Sequence, residues 1–139
     1  MFQSNLLKLS GLLFSSSLAL ASLSSAAQAE NAPWTGFDTK QGSASFETSA
    51  NKTNITSHQN RYYGVSSNLD IPEHYHVNID QISKSSLFAA KAAADADPTK
   101  ILGKLTSNGR LLVIDQNGFF FGQNSIVDAS GFMAVAGEI

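Results

Sequence analysis

The apolar residues between positions 100 and 139 fall into short runs separated by turn-forming residues. Each run is only a few residues long, is rich in Val, Ile and Phe, and is bounded by Gly, Asn, Asp or Ser. Such runs are typical of β-strands rather than helices. The predicted strands cover residues 111–114, 119–121, 126–127 and 132–135, and the turns between them contain Asn108-Gly109, Asp115-Gln116-Asn117-Gly118, Gly122 and Gly131.

Asn-Gly favours a positive φ, which lets the backbone turn sharply, so we predict that Asn108, Gly109, Gly122 and Gly131 are structural turn residues. Two architectures fit a chain that runs straight for a few residues, turns and runs straight again. One is an antiparallel meander of hairpins, for which Asn-Gly is a strong signal. The other is a β-solenoid, in which each circuit of short strands stacks on the previous one. Composition and periodicity leave both architectures open.

Individual residues in the same stretch follow a more specific order. The order is Ile-x-Gly-x-Leu, Asn-Gly, a short apolar strand, a four-residue turn, Phe-Gly, and a second strand followed by Gly-Phe. In these features the stretch resembles the two-partner secretion domain, or haemagglutination-activity domain, of bacterial filamentous adhesins, and it is most similar to the high-molecular-weight adhesin type. The matching positions are Ile101, Gly103, Leu105, Asn108, Gly109, 111–114, 115–118, Phe121, Gly122, 126–128, Gly131 and Phe132.

The four-residue turn departs from the family pattern. The family has Asn-Pro-Asn-Gly where this chain has Asp115-Gln116-Asn117-Gly118. Loss of the proline frees φ at the second position, although Asp, Asn and Gly keep turn-forming chemistry. The resemblance implies that this turn is a site of partner recognition. A corner that is needed only for folding is the alternative, and the residues leave it open.

The resemblance implies an all-β fold, a right-handed parallel β-helix (solenoid) that is incomplete at the C-terminus and is preceded by a signal peptide. Each inward side chain would contribute about 1.5–3 kcal/mol when fully buried. The sequence stops soon after a strand, so we expect a fragment or truncated product with an exposed pairing edge. The predicted inward side chains are Leu111, Val113, Phe119, Phe121, Ile126, Phe132 and Val135.

Residues 1–29 have the features of a Sec-type signal peptide, with a short apolar core and the cleavage sequence Ala27-Gln28-Ala29. A polar lead-in follows at 30–36, with Trp34 as a docking side chain, and the two-partner secretion β-helix domain covers 37–139. Residues 86–94 are ambiguous, because their propensity favours a helix and the resemblance implies a strand. We predict a strand at 87–90, since pairing often overrides propensity in a short run.

No constellation of residues supports catalysis, so we predict that the chain is not an enzyme and uses no cofactor or metal. His58, His74 and His76 could ligate a metal, but their spacing matches no zinc signature. Asp115 and Asp128 could pair as in polysaccharide-cleaving solenoids, but their places at a turn and a strand end suit backbone capping better. The net charge of −2 offers no footprint for nucleic acid.

The resemblance implies that the chain is the N-terminal secretion module of an adhesin-like exoprotein. Its expected partner is an outer-membrane transporter with periplasmic recognition domains. The chain would be exported through Sec to the periplasm, then secreted or displayed at the cell surface, where it nucleates β-helix folding. Downstream regions would bind a host or neighbouring-cell receptor. The alternatives are a free-standing surface-binding protein on a small β scaffold and a β-helix carbohydrate-active enzyme.

Overall fold

The structure is a computed structural model that describes residues 32–94 and 97–137. These residues form no helix, so none that could span a membrane lies among them. The predicted signal peptide, residues 1–29, lies outside the described residues. The strands are β1 (Asp38–Gln41), β2 (Ala44–Ser49), β3 (Lys52–Ser57), β4 (Arg61–Ser66), β5 (His76–Asp80), β6 (Leu87–Ala92), β7 (Thr99–Ile101), β8 (Lys104–Ser107), β9 (Arg110–Ile114), β10 (Phe119–Phe121), β11 (Ile126–Asp128) and β12 (Gly131–Val135).

The strands form three sheets that the chain visits in a repeating order. Sheet 1 has the order β2-β3-β5-β8-β11, sheet 2 has the order β1-β4-β6-β9-β12, and sheet 3 contains β7 and β10. From β3 onward, strands of successive circuits pair in parallel. In the first circuit Ile71 takes the place of a sheet 3 strand and bridges Ile101. The chain is therefore a β-solenoid of about four turns, which confirms the predicted solenoid and excludes the meander.

The first turn is closed by a reversal of strand direction. β1 pairs with β4 and β2 pairs with β3, both antiparallel. Trp34 lies against this end with no exposed surface, and its indole Nε1 donates a hydrogen bond to the Leu69 carbonyl at 2.8 Å. Its ring stacks on Phe88, with the centroids 6.5 Å apart. Trp34 thus docks on the first turn of the solenoid, where it supplies the apolar cover that this end needs.

The interior is built from columns of side chains in register. In sheet 2, Tyr62, Phe88 and Leu111 occupy equivalent positions of successive turns, and the Tyr62 and Phe88 rings stack with their centroids 4.4 Å apart. In sheet 1, Val77 and Leu105 form a second column, and both are fully buried. Because a strand alternates its faces, the register of one turn determines which residues of the next turn point inward.

Two of the seven predicted inward residues face outward. Ile126 pairs with the exposed Lys104 and is 52% exposed, whereas Val127 pairs with the buried Leu105. Val135 pairs with Ile114 and lies on the opposite strand face to Phe132 and Ala134, which are the partners of the core residues Leu111 and Val113. A run of apolar residues does not reveal its phase, and a shift of one residue exchanges the two faces.

Leu111 and Val113 are buried as predicted, and Phe119 is partly buried against the core. Phe132 pairs with Leu111 and Phe121 pairs with Ile101, so both occupy inward positions. They nevertheless remain 38% and 41% exposed. The difference arises because they belong to the last turn, over which the described residues place no further turn.

Residues 87–92 form a strand, which confirms the strand predicted at 87–90. β6 lies between β4 and β9, so both of its edges are paired. Phe88 and Ala90 are fully buried on its inner face. Pairing on both edges outweighs the intrinsic helix propensity of this alanine-rich segment.

The corner between β8 and β9 stacks on the corner of the preceding turn. The Asn108 amide accepts a hydrogen bond from the Gln81 backbone N–H at 2.7 Å and donates one to the Gln81 carbonyl at 2.8 Å. Gly109 does not adopt the expected positive φ. A Cβ at this position would lie 2.6 Å from the Gln81 Cδ atom. The Gln81 amide is held by hydrogen bonds from its Nε2 atom to the Ser107 hydroxyl and the Arg110 carbonyl, so the space available here favours glycine.

This contact gives a stability prediction. Gly109→Ala should lower the free energy of unfolding by about 1–3 kcal/mol, because the added methyl group overpacks against Gln81. In a Gln81→Ala background the same substitution should cost less, since the obstructing amide is gone. The two effects can be measured by urea unfolding of the four variants of the cycle. Equal costs of Gly109→Ala in both backgrounds would refute the steric explanation.

Candidate functional site: the corner at residues 115–118 and the exposed last turn

The corner at 115–118 is a β-turn whose backbone is held at both ends. The Gly118 N–H donates to the Asp115 carbonyl at 3.0 Å, which closes the turn. Gly118 has a φ of 90°, and neither Gln116 nor Asn117 has a positive φ. These features fit a type I turn followed by a left-handed glycine. The second position, Gln116, is compatible with either glutamine or the proline of the family pattern.

Asp115 anchors this corner to the previous turn of the solenoid. It is only 2% exposed, and its Oδ2 atom accepts a hydrogen bond from the Thr99 hydroxyl at 2.6 Å. Its Oδ1 atom accepts from the Asn117 N–H at 2.9 Å. The Thr99 N–H in turn donates to the Gly118 carbonyl at 3.0 Å. The side chain at the tip, Gln116, is exposed, so the corner has a buried anchor and a solvent-facing tip.

The two aspartates that could pair for catalysis occupy different environments. The Asp115 carboxylate is buried and accepts two hydrogen bonds, one from Thr99 of the previous turn and one from Asn117 of its own corner. Asp128 lies exposed on β11, opposite Thr106 of β8. A buried carboxylate that accepts hydrogen bonds from backbone and hydroxyl groups matches the capping role that the sequence suggested for Asp115.

His58 and His76 form hydrogen bonds with different partners and not with each other. The Nε2 atom of His58 is 2.6 Å from the Ser45 hydroxyl, and the Nε2 atom of His76 is 2.8 Å from the Thr106 hydroxyl. Partial burial lowers the pKa of His76 below its usual value, and the positive charges of Lys52 and Lys104 lower it further. No group of three metal-binding side chains occurs within residues 32–94 and 97–137.

The last turn presents apolar side chains and strand edges that sequence reasoning only partly anticipated. β10, β11 and β12 each pair with a single neighbour, on the side of the preceding turn. The large exposed apolar side chains of the described residues lie mainly on this turn. They are Phe120 (57%), Phe121 (41%), Ile126 (52%), Phe132 (38%) and Met133 (62%).

The fold and these ends define a class of protein: a parallel β-solenoid with an antiparallel, tryptophan-covered first turn. Among solved structures, the chain is similar to the crystal structure of the HMW1 secretion domain from Haemophilus influenzae, with a TM-score of 0.67 and 25% sequence identity. The alignment covers 71% of this chain and 26% of that chain, so this chain spans about a quarter of the solved domain. The similarity confirms the resemblance to two-partner secretion domains. No protein-family model matches the chain, and no curated protein matches it.

The glycines that the sequence predicted as turn residues occupy positions with different structural requirements. Some need a left-handed backbone, and others need space for a neighbouring side chain. Gly118 needs its left-handed conformation, and an added Cβ would meet no atom within 4 Å. Gly122 lacks a positive φ, and a Cβ there would lie 2.9 Å from the Leu102 Cδ2 atom. Gly131 also lacks one, and its nearest neighbour would be the Arg110 Cγ atom at 3.3 Å.

A matched pair of substitutions separates these requirements. Gly118→Ala should lower the free energy of unfolding by about 1–2 kcal/mol, because an L-residue is strained in the left-handed region. Gly131→Ala should change it by less than about 0.5 kcal/mol, since the flexible Arg110 side chain can move. Thermal and urea unfolding measure both values. A loss at Gly131 equal to that at Gly118 would contradict the conformational account of the corner.

Proposed function

We propose that this chain is the N-terminal secretion module of an adhesin-like exoprotein, which a dedicated outer-membrane pore recognises and which nucleates β-helix folding at the cell surface. The observation that carries the proposal is the structural similarity to the HMW1 secretion domain across 71% of the chain. The proposed route runs through Sec to the periplasm, with residues 1–29 as the signal peptide, and then outward through the pore.

The two unlike ends of the solenoid support the nucleating role. The antiparallel pairs β1–β4 and β2–β3 and the Trp34 cover close the first turn. The other end presents the free edges of β10, β11 and β12 together with large exposed apolar side chains, so we propose that later strands add there. A chain that emerges with its N-terminal part first would form the closed turn first, and each later turn would bury its apolar side chains on a preformed edge.

Recognition in the periplasm needs a form of the chain that still exposes its backbone. An extended segment can add a strand to the sheet edge of a receptor, which is a common mode of peptide recognition. We propose that the corner at 115–118 takes part in this recognition through its exposed tip. Receptors on host or neighbouring cells would be bound by regions of the exoprotein downstream of the secretion module.

The route is tested by following export with the pore present and deleted. In the source bacterium, the chain should reach the cell surface or the medium when the adjacent pore gene is intact, and should remain in the periplasm when that gene is deleted. Fractionation followed by immunoblotting measures the distribution, and a resident periplasmic protein controls for lysis. Equal export without any outer-membrane pore partner would overturn the proposal in favour of a free-standing surface protein.

Within that assay, a pair of equivalent substitutions tests the role of the corner. Gln116→Ala should reduce export, whereas Gln123→Ala, at a glutamine of the next corner, should not. Both substitutions are on the surface, so the free energy of unfolding should change by less than about 0.5 kcal/mol in each. Normal export of Gln116→Ala, together with reduced export of Gly118→Ala, would mean that the corner serves folding alone.

The open end gives a prediction for the purified chain. Exposed edge strands with apolar side chains favour association between molecules, and a lysine on an edge strand opposes it. Met133→Lys, on the free strand β12, should therefore lower the associated fraction measured by sedimentation velocity. Ile82→Lys is the control, because Ile82 is also exposed (56%) but belongs to no strand. An equal decrease in both variants would show that net charge, not the edge, controls association.

A further inference from the structure

We propose that Asn117 is a site of spontaneous chemical modification, in which its side-chain amide is lost through a ring that forms with the backbone nitrogen of Gly118. The chain contains two Asn-Gly pairs, at 108–109 and 117–118, and the fold places them in different surroundings. The inference does not depend on the secretion route, because it rests on the geometry of these two corners.

The reaction consumes only water and needs close approach of two atoms of the chain. A bond forms between the Gly118 nitrogen and the Asn117 Cγ atom, the bond from Cγ to the amide nitrogen breaks, and the Gly118 proton leaves with that nitrogen as ammonia. Water then opens the five-membered imide at either carbonyl, which yields aspartate or isoaspartate. Glycine favours the attack because it has no side chain and its backbone adopts many conformations.

At the first pair, both polar atoms of the Asn108 amide are held by the preceding turn of the solenoid. The oxygen accepts a hydrogen bond from the Gln81 N–H at 2.7 Å, and the nitrogen donates one to the Gln81 carbonyl at 2.8 Å. Both bonds must break before the Cγ atom can turn toward the Gly109 nitrogen. Loss of two bonds, at about 1 kcal/mol each, corresponds to a roughly thirtyfold slower reaction.

The backbone of Gly109 is also enclosed. Gly109 is buried, and its Cβ position lies 2.6 Å from the Gln81 Cδ atom. The Gln81 amide cannot withdraw easily, because its Nε2 atom donates to the Ser107 hydroxyl and to the Arg110 carbonyl. Rotation of the backbone at this pair therefore displaces a side chain that is itself anchored.

The second pair has more space around its glycine. Gly118 is only half-buried, and its Cβ position has no atom within 4 Å. The backbone bonds of the two glycines are otherwise alike: Gly118 donates to the Asp115 carbonyl at 3.0 Å, and Gly109 donates to the Ser107 hydroxyl at 3.1 Å. The space around the glycine therefore makes 117–118 the more reactive pair.

Modification would weaken the corner at 115–118. Isoaspartate adds one carbon atom to the backbone between residues 117 and 118. The bond from the Gly118 N–H to the Asp115 carbonyl and the bond from the Thr99 N–H to the Gly118 carbonyl both depend on the present spacing. Either product also places a new carboxylate in the same turn as the buried Asp115 carboxylate.

Incubation of the purified chain in mildly alkaline buffer, once folded and once in urea, tests the proposal. Peptide mapping by mass spectrometry follows the exchange of NH for O at each pair, and the rate in urea divided by the rate in buffer gives the protection of that pair. Asn108 should be protected roughly thirtyfold or more. Protection of Asn117 should be about tenfold weaker, because rotation at Gly118 meets no anchored side chain.

Methylation by a protein isoaspartyl methyltransferase provides a second readout, which detects the product of ring opening. The incubated folded chain should accept methyl groups, and Asn117→Gln should accept far fewer, because the longer side chain cannot close a five-membered ring. Asn108→Gln is the matched control and should keep most of the signal. Equal protection of the two pairs, aspartate without isoaspartate at 117, or equal methylation of Asn117→Gln and the unsubstituted chain would overturn the proposal.

Discussion

The pairing of each turn with the edge of the turn before it is the constraint on which this solenoid depends. A parallel strand buries its inner side chains only when a neighbouring turn lies against it. The column Phe88, Leu111, Phe132 shows this dependence, because the same inward position is 0%, 2% and 38% exposed as the last turn is approached. The first turn has no preceding edge, and the antiparallel strands with Trp34 take its place. The two ends of the solenoid are therefore structurally different.

The corners hold successive turns in register by different physical means. The Asn108 side-chain amide forms two hydrogen bonds with the Gln81 backbone of the preceding turn. The Gln81 side chain limits the space beside Gly109. At Asp115, a buried carboxylate bonds to Thr99 of the previous turn. A residue at such a corner can contribute to the stacking of turns even when the tip of the corner is exposed. For this reason, a loss of export in a corner variant is informative only beside a measurement of its stability.

The outer faces of the solenoid are free to differ from the interior because they do not take part in stacking. Sheet 1 bears hydrogen-bonded asparagine, threonine and histidine side chains in rows set by strand register. The same register that aligns Val77 with Leu105 inside aligns His76 with Lys104 outside. In a parallel solenoid, one residue at the same position of each turn therefore forms a regular row on the surface.

The sequence by itself determined that the chain consists of short strands separated by turns, because short apolar runs and turn residues carry that information locally. The choice of a β-solenoid over a meander came from the resemblance of the residues from Ile101 to Phe132 to a known family. The sequence also located the strands near residues 111–114 and 119–121 within a residue or two of their observed bounds. Tertiary structure decided the phase of each strand, and so exchanged Ile126 for Val127 in the interior. It likewise buried Trp34, gave Asp115 its Thr99 partner and limited the space beside Gly109, because each of these depends on an adjacent turn that lies far away in sequence.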